Sequence, residues 1–368
     1  MKYVIEKDQH TPAYLQLYKQ VREDITNQIY PYNSKLPSKR IMAEEIGIST
    51  ITVEHTYALL CDEGYIEARQ RSGYVVIFRT DAGFAATPQA GSRRITPPAP
   101  HAATTADFPL HVLRKTMRAV INDMGDSILD RSANAGSMEL REAIQKYLAR
   151  SRGIHAAIEQ IVIGSGSEYL YSLIVELLGR NKVFAIESPS YKMIEQVYCV
   201  SDVQLTKLPL GIDGIDSASL QVCQADVLHI SPYRSYPSGV TASASKRHEY
   251  LRWAGQEERF IIEDDFESEF SVSKKAEETL FSHTSHDNVI YMNSFSMTIS
   301  PSFRVGYMVL PKRLVKTFEE RLGFYSCTVP TYIQYVVAEL IASGDFERHI
   351  NRVRRAKRKE ITANAVRK

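Results

Sequence analysis

Long apolar runs are the first thing this sequence lacks. No stretch of 18 apolar residues occurs, which excludes a membrane-spanning helix. The start, Met1-Lys2-Tyr3-Val4-Ile5-Glu6, has no apolar core of the kind a secretory signal needs. Cysteine is scarce: Cys61, Cys199, Cys223 and Cys327 lie far apart, without disulfide or metal-ligand spacing. That excludes a disulfide framework, leaves no metal site to expect, and fits a reducing cytoplasm, the expected location. Charge of one sign is not in excess either. Lys and Arg number 45 against 43 Asp and Glu, a net charge of +2, so any contact with nucleic acid must come from a local patch. Internal repeats are absent. What remains is an ordinary globular composition, 44% apolar and 24% charged, over 368 residues. That length suits about two domains and a sizeable core.

The chain divides at a biased stretch. Residues 81–107 are rich in Ala, Thr, Pro and small polar residues without periodicity, and read as an extended linker between domains at 1–80 and 108–368. The first block opens with a helix, with Thr11 as N-cap and Pro12 at the first helical position. Tyr14, Tyr18, Val21, Ile25 and Ile29 form its apolar face, and Pro31 ends it. A second helix starts at Ser38 with Ile41, Met42 and Ile46 inward, and Gly47 turns the chain. A third runs from Thr50 to Asp62 with Val53, Tyr57 and Leu60 inward, and Gly64 stops it. Strands at Tyr65–Ala68 and Tyr74–Phe78 flank Arg69-Gln70-Arg71-Ser72-Gly73. This order is a winged helix-turn-helix pattern, whose third helix enters the major groove. Residues 1–80 carry ten Lys/Arg and ten Asp/Glu. The bases nonetheless cluster at Lys35, Lys39, Arg40, Arg69 and Arg71, along the DNA-facing edge.

The second block alternates short apolar runs with helical segments such as Leu140–Arg150 and Glu168–Leu178. The runs are Ile161–Ile163, Val183–Ile186, Val203–Leu208, Val227–Ile230, Phe260–Ile262 and Val289–Met292. Continuous apolar strands with helices between them imply a parallel sheet covered on both faces, with ligands at the carboxyl ends of its strands. Gly164-Ser165-Gly166-Ser167-Glu168 follows the first run and opens a helix, a candidate anion site. Tyr191 places an aromatic near the same crevice.

Lys35-Leu36-Pro37-Ser38-Lys39-Arg40, Gly47-Ile48-Ser49, Thr52-Val53 and Glu63-Gly64-Tyr65-Ile66 closely resemble the reader of GntR regulators. Over its whole length the chain resembles the MocR/GabR-type subfamily, which fuses that reader to a fold-type I, pyridoxal-phosphate-dependent aminotransferase-like domain. The resemblance implies an α/β chain: a winged helix-turn-helix plus a three-layer α/β domain. It also implies that Ser38, Arg40, Ser49, Thr52 and the wing Arg69 to Gly73, with Arg71 and Ser72 in it, face DNA; the base cluster adds Lys35 and Lys39 to the expected DNA-binding residues, and Thr50 at the head of the third helix completes them. Thr50 departs from the arginine frequent there.

In the large domain the resemblance rests on Ile262-Glu263-Asp264-Asp265, Ser294-Phe295-Ser296 and Arg304-Val305-Gly306-Tyr307. It implies that Asp264 faces the pyridine nitrogen of pyridoxal phosphate and Tyr191 stacks near the ring. Arg304, Ser296 and the turn at Ser167 and Glu168 would hold the phosphate. The departures bear on chemistry. Met297 stands where the family has its Schiff-base lysine, and a thioether has no amine to bond the cofactor or carry a proton. Phe266 replaces a tyrosine that hydrogen-bonds the cofactor, and Tyr233-Arg234-Ser235 replaces Ser-His-Gln. Lys368 falls just inside what reads as the first helix of an incomplete C-terminal subdomain, before the family's substrate-carboxylate arginine. The basic residues Arg348, Arg352, Arg354, Arg355, Lys357, Arg358 and Lys359 there read as a helix with few apolar partners.

The expectation is a transcription regulator binding double-stranded operator DNA, with a catalytically degenerate domain serving as effector sensor or dimerisation scaffold, and a homodimer as its working form. No catalytic residue is expected. Pyridoxal phosphate is expected to bind noncovalently or not at all. One alternative is a pyridoxal-phosphate-dependent aminotransferase-like enzyme that also binds DNA. Another is a truncated product with an unstable second domain.

Overall fold

In the computed structural model, residues 3–6, 11–69, 72–79, 107–255, 259–265, 268–271 and 278–366 are described, with side chains through 362. The chain divides into two compact units, Met1–Pro100 and His101–Lys368. The expected linker lies outside the described residues except for Asp107, as do Arg71 and Phe266.

The first unit holds α1 (Ala13–Thr26), α2 (Lys39–Ile46), α3 (Thr50–Asp62) and an antiparallel hairpin of β1 (Ile66–Arg69) and β2 (Gly73–Val76). Its core draws Leu17, Val21 and Ile25 from α1, Met42 from α2, and Val53, Tyr57 and Leu60 from α3, closed by Ile66 and Val76. Full burial of such side chains contributes about 1.5–3 kcal/mol each. Three local readings need correction. Pro12, not Thr11, is the N-cap of α1, and it gives no side-chain cap bond. That helix stops at Thr26, where Gln28 turns left-handed, so Ile29 lies beyond it, exposed. Ile41 is also exposed, because the inward stripe of α2 runs through Met42 and Ala43.

The second unit begins with α4 (Leu110–Met124) and α5 (Met138–Arg152). Next come β3 (Ile161–Gly164), α6 (Ser167–Leu178), β4 (Val183–Ser188), α7 (Lys192–Val200), β5 (Gln204–Pro209), α8 (Ser217–Gln221) and β6 (Val227–Ile230). They are followed by α9 (Ala244–Ala254), β7 (Phe260–Asp264), α10 (Leu280–His283), β8 (Val289–Ser294), β9 (Gly306–Val309), α11 (Lys312–Leu322), α12 (Thr331–Ala342) and α13 (Asp345–Val366). The strands make one sheet in the order β3-β9-β8-β7-β6-β4-β5. It is mixed rather than parallel: β9 runs antiparallel to both neighbours. The cause is the connection from Ser294 to Gly306, too short for the helical crossover that a parallel return requires.

Alternating side chains fill the two faces. Val162, Ile262, Ile290, Met292 and Met308 meet α6, α7 and α11 on one side. Ile161, Ile163, Tyr291, Tyr307 and Val309 join the cluster of α5, α12 and α13 on the other. Contrary to the sequence reading, α13 has apolar partners, with Phe346, His349, Ile350 and Val353 buried at helical spacing. The basic residues occupy its remaining faces, and Arg354 Nε donates to the Glu269 carbonyl at 2.5 Å. Among the described residues no helix is long and apolar enough to cross a membrane.

Candidate functional site

The strand directions bring the predicted residues to one edge. Every strand but β9 ends at that edge, and the reversed β9 starts there, so Arg304 arrives just before it. A cavity of about 270 Å³ results, lined by Ser167, Glu168, Tyr171, Tyr191, Ile194, Ser231, Tyr236, Asp264, Ser294, Ser296, Met297, Pro301 and Arg304. All six residues expected to hold a cofactor line it, together with Met297. Tyr171, Ile194, Ser231, Tyr236 and Pro301 were not singled out from sequence, and Ser294 enters only as the start of the Ser294-Phe295-Ser296 match. Tyr171 was detectable only as a fourth helical residue after Ser167, on the same face.

Asp264 sits at the end of β7, 6% exposed. Its Oδ2 accepts from the Tyr171 hydroxyl at 2.6 Å and faces His229 Nε2 at 3.5 Å. Tyr198 in turn holds His229 Nδ1 at 2.6 Å. Burial and the Asp264 charge push the Tyr171 hydroxyl well up, so it stays a donor. Tyr191 and Tyr236 meet edge to face, with centroids 5.9 Å apart, forming an aromatic wall. Met297 is 43% exposed, so it lines the mouth rather than plugging the interior.

The anion end differs from its expected arrangement. Arg304 Nη2 pairs with Glu168 Oε2 at 2.5 Å and donates to the Ser165 carbonyl at 3.3 Å. Burial raises the Glu168 carboxyl, but the Arg304 bond and charge outweigh it and leave it below its ordinary range. Arg304 holds a left-handed backbone (φ 50°) at the end of a short 3₁₀ turn. Gly166 clears its path: a Cβ there would stand 2.7 Å from Arg304 Nη2.

Tyr233 and Ser235 do not line the cavity. The Tyr233 hydroxyl donates to Glu263, and Ser235 Oγ donates to Glu187 Oε2 at 2.6 Å. Burial pushes both glutamates up to about 7.

In the first unit, Ser38 and Ser49 cap α2 and α3 by accepting from the Ile41 and Thr52 amides. Gly47 and Gly73 take the positive φ their turns require (74° and 83°). Lys35, Arg40, Thr50 and Arg69 are exposed, while Lys39, Thr52 and Ser72 are half-buried. Lys39 pairs with Glu54 at 2.6 Å and Arg69 with Glu67 at 3.0 Å, both on the surface and so weakly held. Ile51, Glu54 and His55 also lie exposed on α3. Sequence reasoning passed over them, although they fall opposite Val53, Tyr57 and Leu60.

A winged helix-turn-helix unit joined in one chain to a fold-type I aminotransferase-like unit defines the class: a helix-turn-helix transcription regulator with an aminotransferase-like domain. Residues 13–76 match the pattern of bacterial regulatory proteins of the gntR family, and residues 103–365 match that of aminotransferase class I and II. The chain is 31% identical to the HTH-type transcriptional regulator YdeL of Bacillus subtilis, over 95% of this chain and 77% of that one. It is 26% identical to the probable rhizopine catabolism regulatory protein MocR of Rhizobium meliloti, over 96% and 76% of the two chains. The second unit is similar to Pyrococcus horikoshii kynurenine aminotransferase, with a TM-score of 0.63 and 25% identity, covering 71% of this chain and 67% of that one. The chain belongs to the MocR-type subfamily of GntR regulators.

Proposed function

We propose that this regulator reads its operator through α2, α3 and the β1–β2 wing, and that its large unit is a non-catalytic sensor. In this reading the sensor holds a small pyridoxal-type ring without a covalent bond, the ring nitrogen facing Asp264. The fold typically binds pyridoxal phosphate, which supplies an electron sink when bound. The residues here suit its ring end, where a buried carboxylate and tyrosine walls meet. They do not suit its phosphate end, where Glu168 already engages Arg304. Met297 carries the proposal, because no amine stands at the one position where covalent chemistry requires it. A ligand would shift the population of paired large units and so the spacing of two readers.

A homodimer is part of this reading. Leu129 and the stacked Phe324 and Tyr325 are exposed. Bonds from Arg131 to Ser326 and from Asn134 to the Gly323 carbonyl tie their loops together, supporting an apolar contact patch. Sedimentation of the purified chain should give a dimer, and a strict monomer would contradict this part.

Titrating a labelled promoter fragment at about 50 and 200 mM salt tests DNA reading. Sequence-selective affinity that falls steeply with salt is expected, and its absence rejects the proposal. Interconversion of amino and keto acids by the purified protein with pyridoxal phosphate would reject the non-catalytic sensor.

A further inference from the structure

Glu168 is the second residue of α6, where unpaired backbone amides and the helix dipole favour an anion. Its carboxylate meets Arg304 Nη2 at 2.5 Å. The same nitrogen gives another N–H to the Ser165 carbonyl at 3.3 Å. A guanidinium and a helix N-terminus are the two donors that a phosphate monoester would seek here. In this chain the Glu168 carboxylate already takes the guanidinium. The pair closes within the cavity that Asp264 floors. Two carboxylates then stand against one guanidinium, so an incoming phosphate would meet excess negative charge, and Asp264 faces the Tyr171 hydroxyl and His229 Nε2. The walls are Tyr171, Tyr191 and Tyr236, whose ring faces attract cations.

We propose that Glu168 is a specificity-determining residue: its carboxylate fills the anion seat beside Arg304, so that the cavity takes an unphosphorylated, positively charged ring or amine and rejects the phosphate ester of the same compound. This rests on the sensor reading above and names its ligand class.

Pyridoxamine and pyridoxamine 5′-phosphate differ only by the phosphate and are the probes. Each is titrated by calorimetry into the full wild-type chain, Glu168→Gln, Glu168→Ala and the Glu168→Gln/Arg304→Ala double variant, with thermal melting checking that each is folded. Wild type should bind pyridoxamine at least tenfold more tightly than its phosphate ester. Both single variants should reverse that order, and the double variant should lose the gained phosphate affinity. Wild type binding the ester as tightly or more tightly overturns the inference. If either ligand still alters operator affinity in that case, the sensor reading survives alone. Single variants that keep the wild-type order also overturn the inference. Failure of both probes on every protein overturns the inference and the pyridoxal-type sensor together.

Discussion

Glu187, Glu263 and Glu269 are buried in the large unit, and burial raises each to about 7. For such a group the folded chain binds the proton more tightly than the unfolded chain does. Its destabilising contribution is absent below the unfolded value of 4.5 and grows as pH rises through 7, reaching roughly 3 kcal/mol for Glu187. His349 acts oppositely: burial, then the Arg352 charge, lowers it to about 4, so its penalty appears as pH falls below 6.5. A Glu187→Gln comparison leaves His349 in both proteins and isolates the glutamate. The variant should melt near the wild-type temperature at pH 5 and several degrees above it at pH 8, by calorimetry; equal melting at both would contradict the burial argument. These residues stand in the sequence as ordinary acids. Their environment comes from Ser235, Tyr233 and the sheet, which lie far along the chain.

Single elements rest on identifiable supports. Ser49 caps α3 by accepting from the Thr52 amide, and Ser49→Ala should cost about 1 kcal/mol in chemical denaturation followed by helical signal. Phe346 is buried against Tyr147 and Phe295, and Phe346→Ala should cost about 3–5 kcal/mol and loosen α13 first. An unchanged melting temperature for Phe346→Ala would mean that α13 is not a working part of the core. The residues of α3 were plain in the sequence, since the 3.6-residue spacing of Val53, Tyr57 and Leu60, and Gly64 are local signals, whereas Ser49 reads in the sequence only as a DNA-facing residue and its capping role comes with the structure. The packing of α13 was harder to see. Its apolar residues are few among many bases, and only their arrival against α5 and the sheet makes the stripe sufficient.

At the scale of the whole molecule, net charge is nearly balanced, so DNA affinity depends on a few placed bases. Arg40→Ala should weaken binding across operator and non-operator sequences and reduce the salt slope by about 1, measured by fluorescence anisotropy. Lys39→Ala should do less, because Lys39 is already paired with Glu54 in the free protein and gives up that pair to reach a phosphate. A Lys39→Ala effect larger than that of Arg40→Ala would reverse this assignment of the phosphate contacts.

The sequence by itself determined the reader, the alternation of strands and helices, and a thioether at Met297 beside Ser296. Each is written in neighbouring residues or in a motif whose order along the chain is its meaning. Tertiary structure decided the rest. The short return from Ser294 reversed β9, and that reversal carried Arg304 to the same edge as Ser167 and Asp264. It also set Arg304 against Glu168, which turns two expected phosphate ligands into partners of each other. Opposite charges separated by 136 positions interact only when the fold brings them within hydrogen-bond reach, and no local pattern encodes that distance.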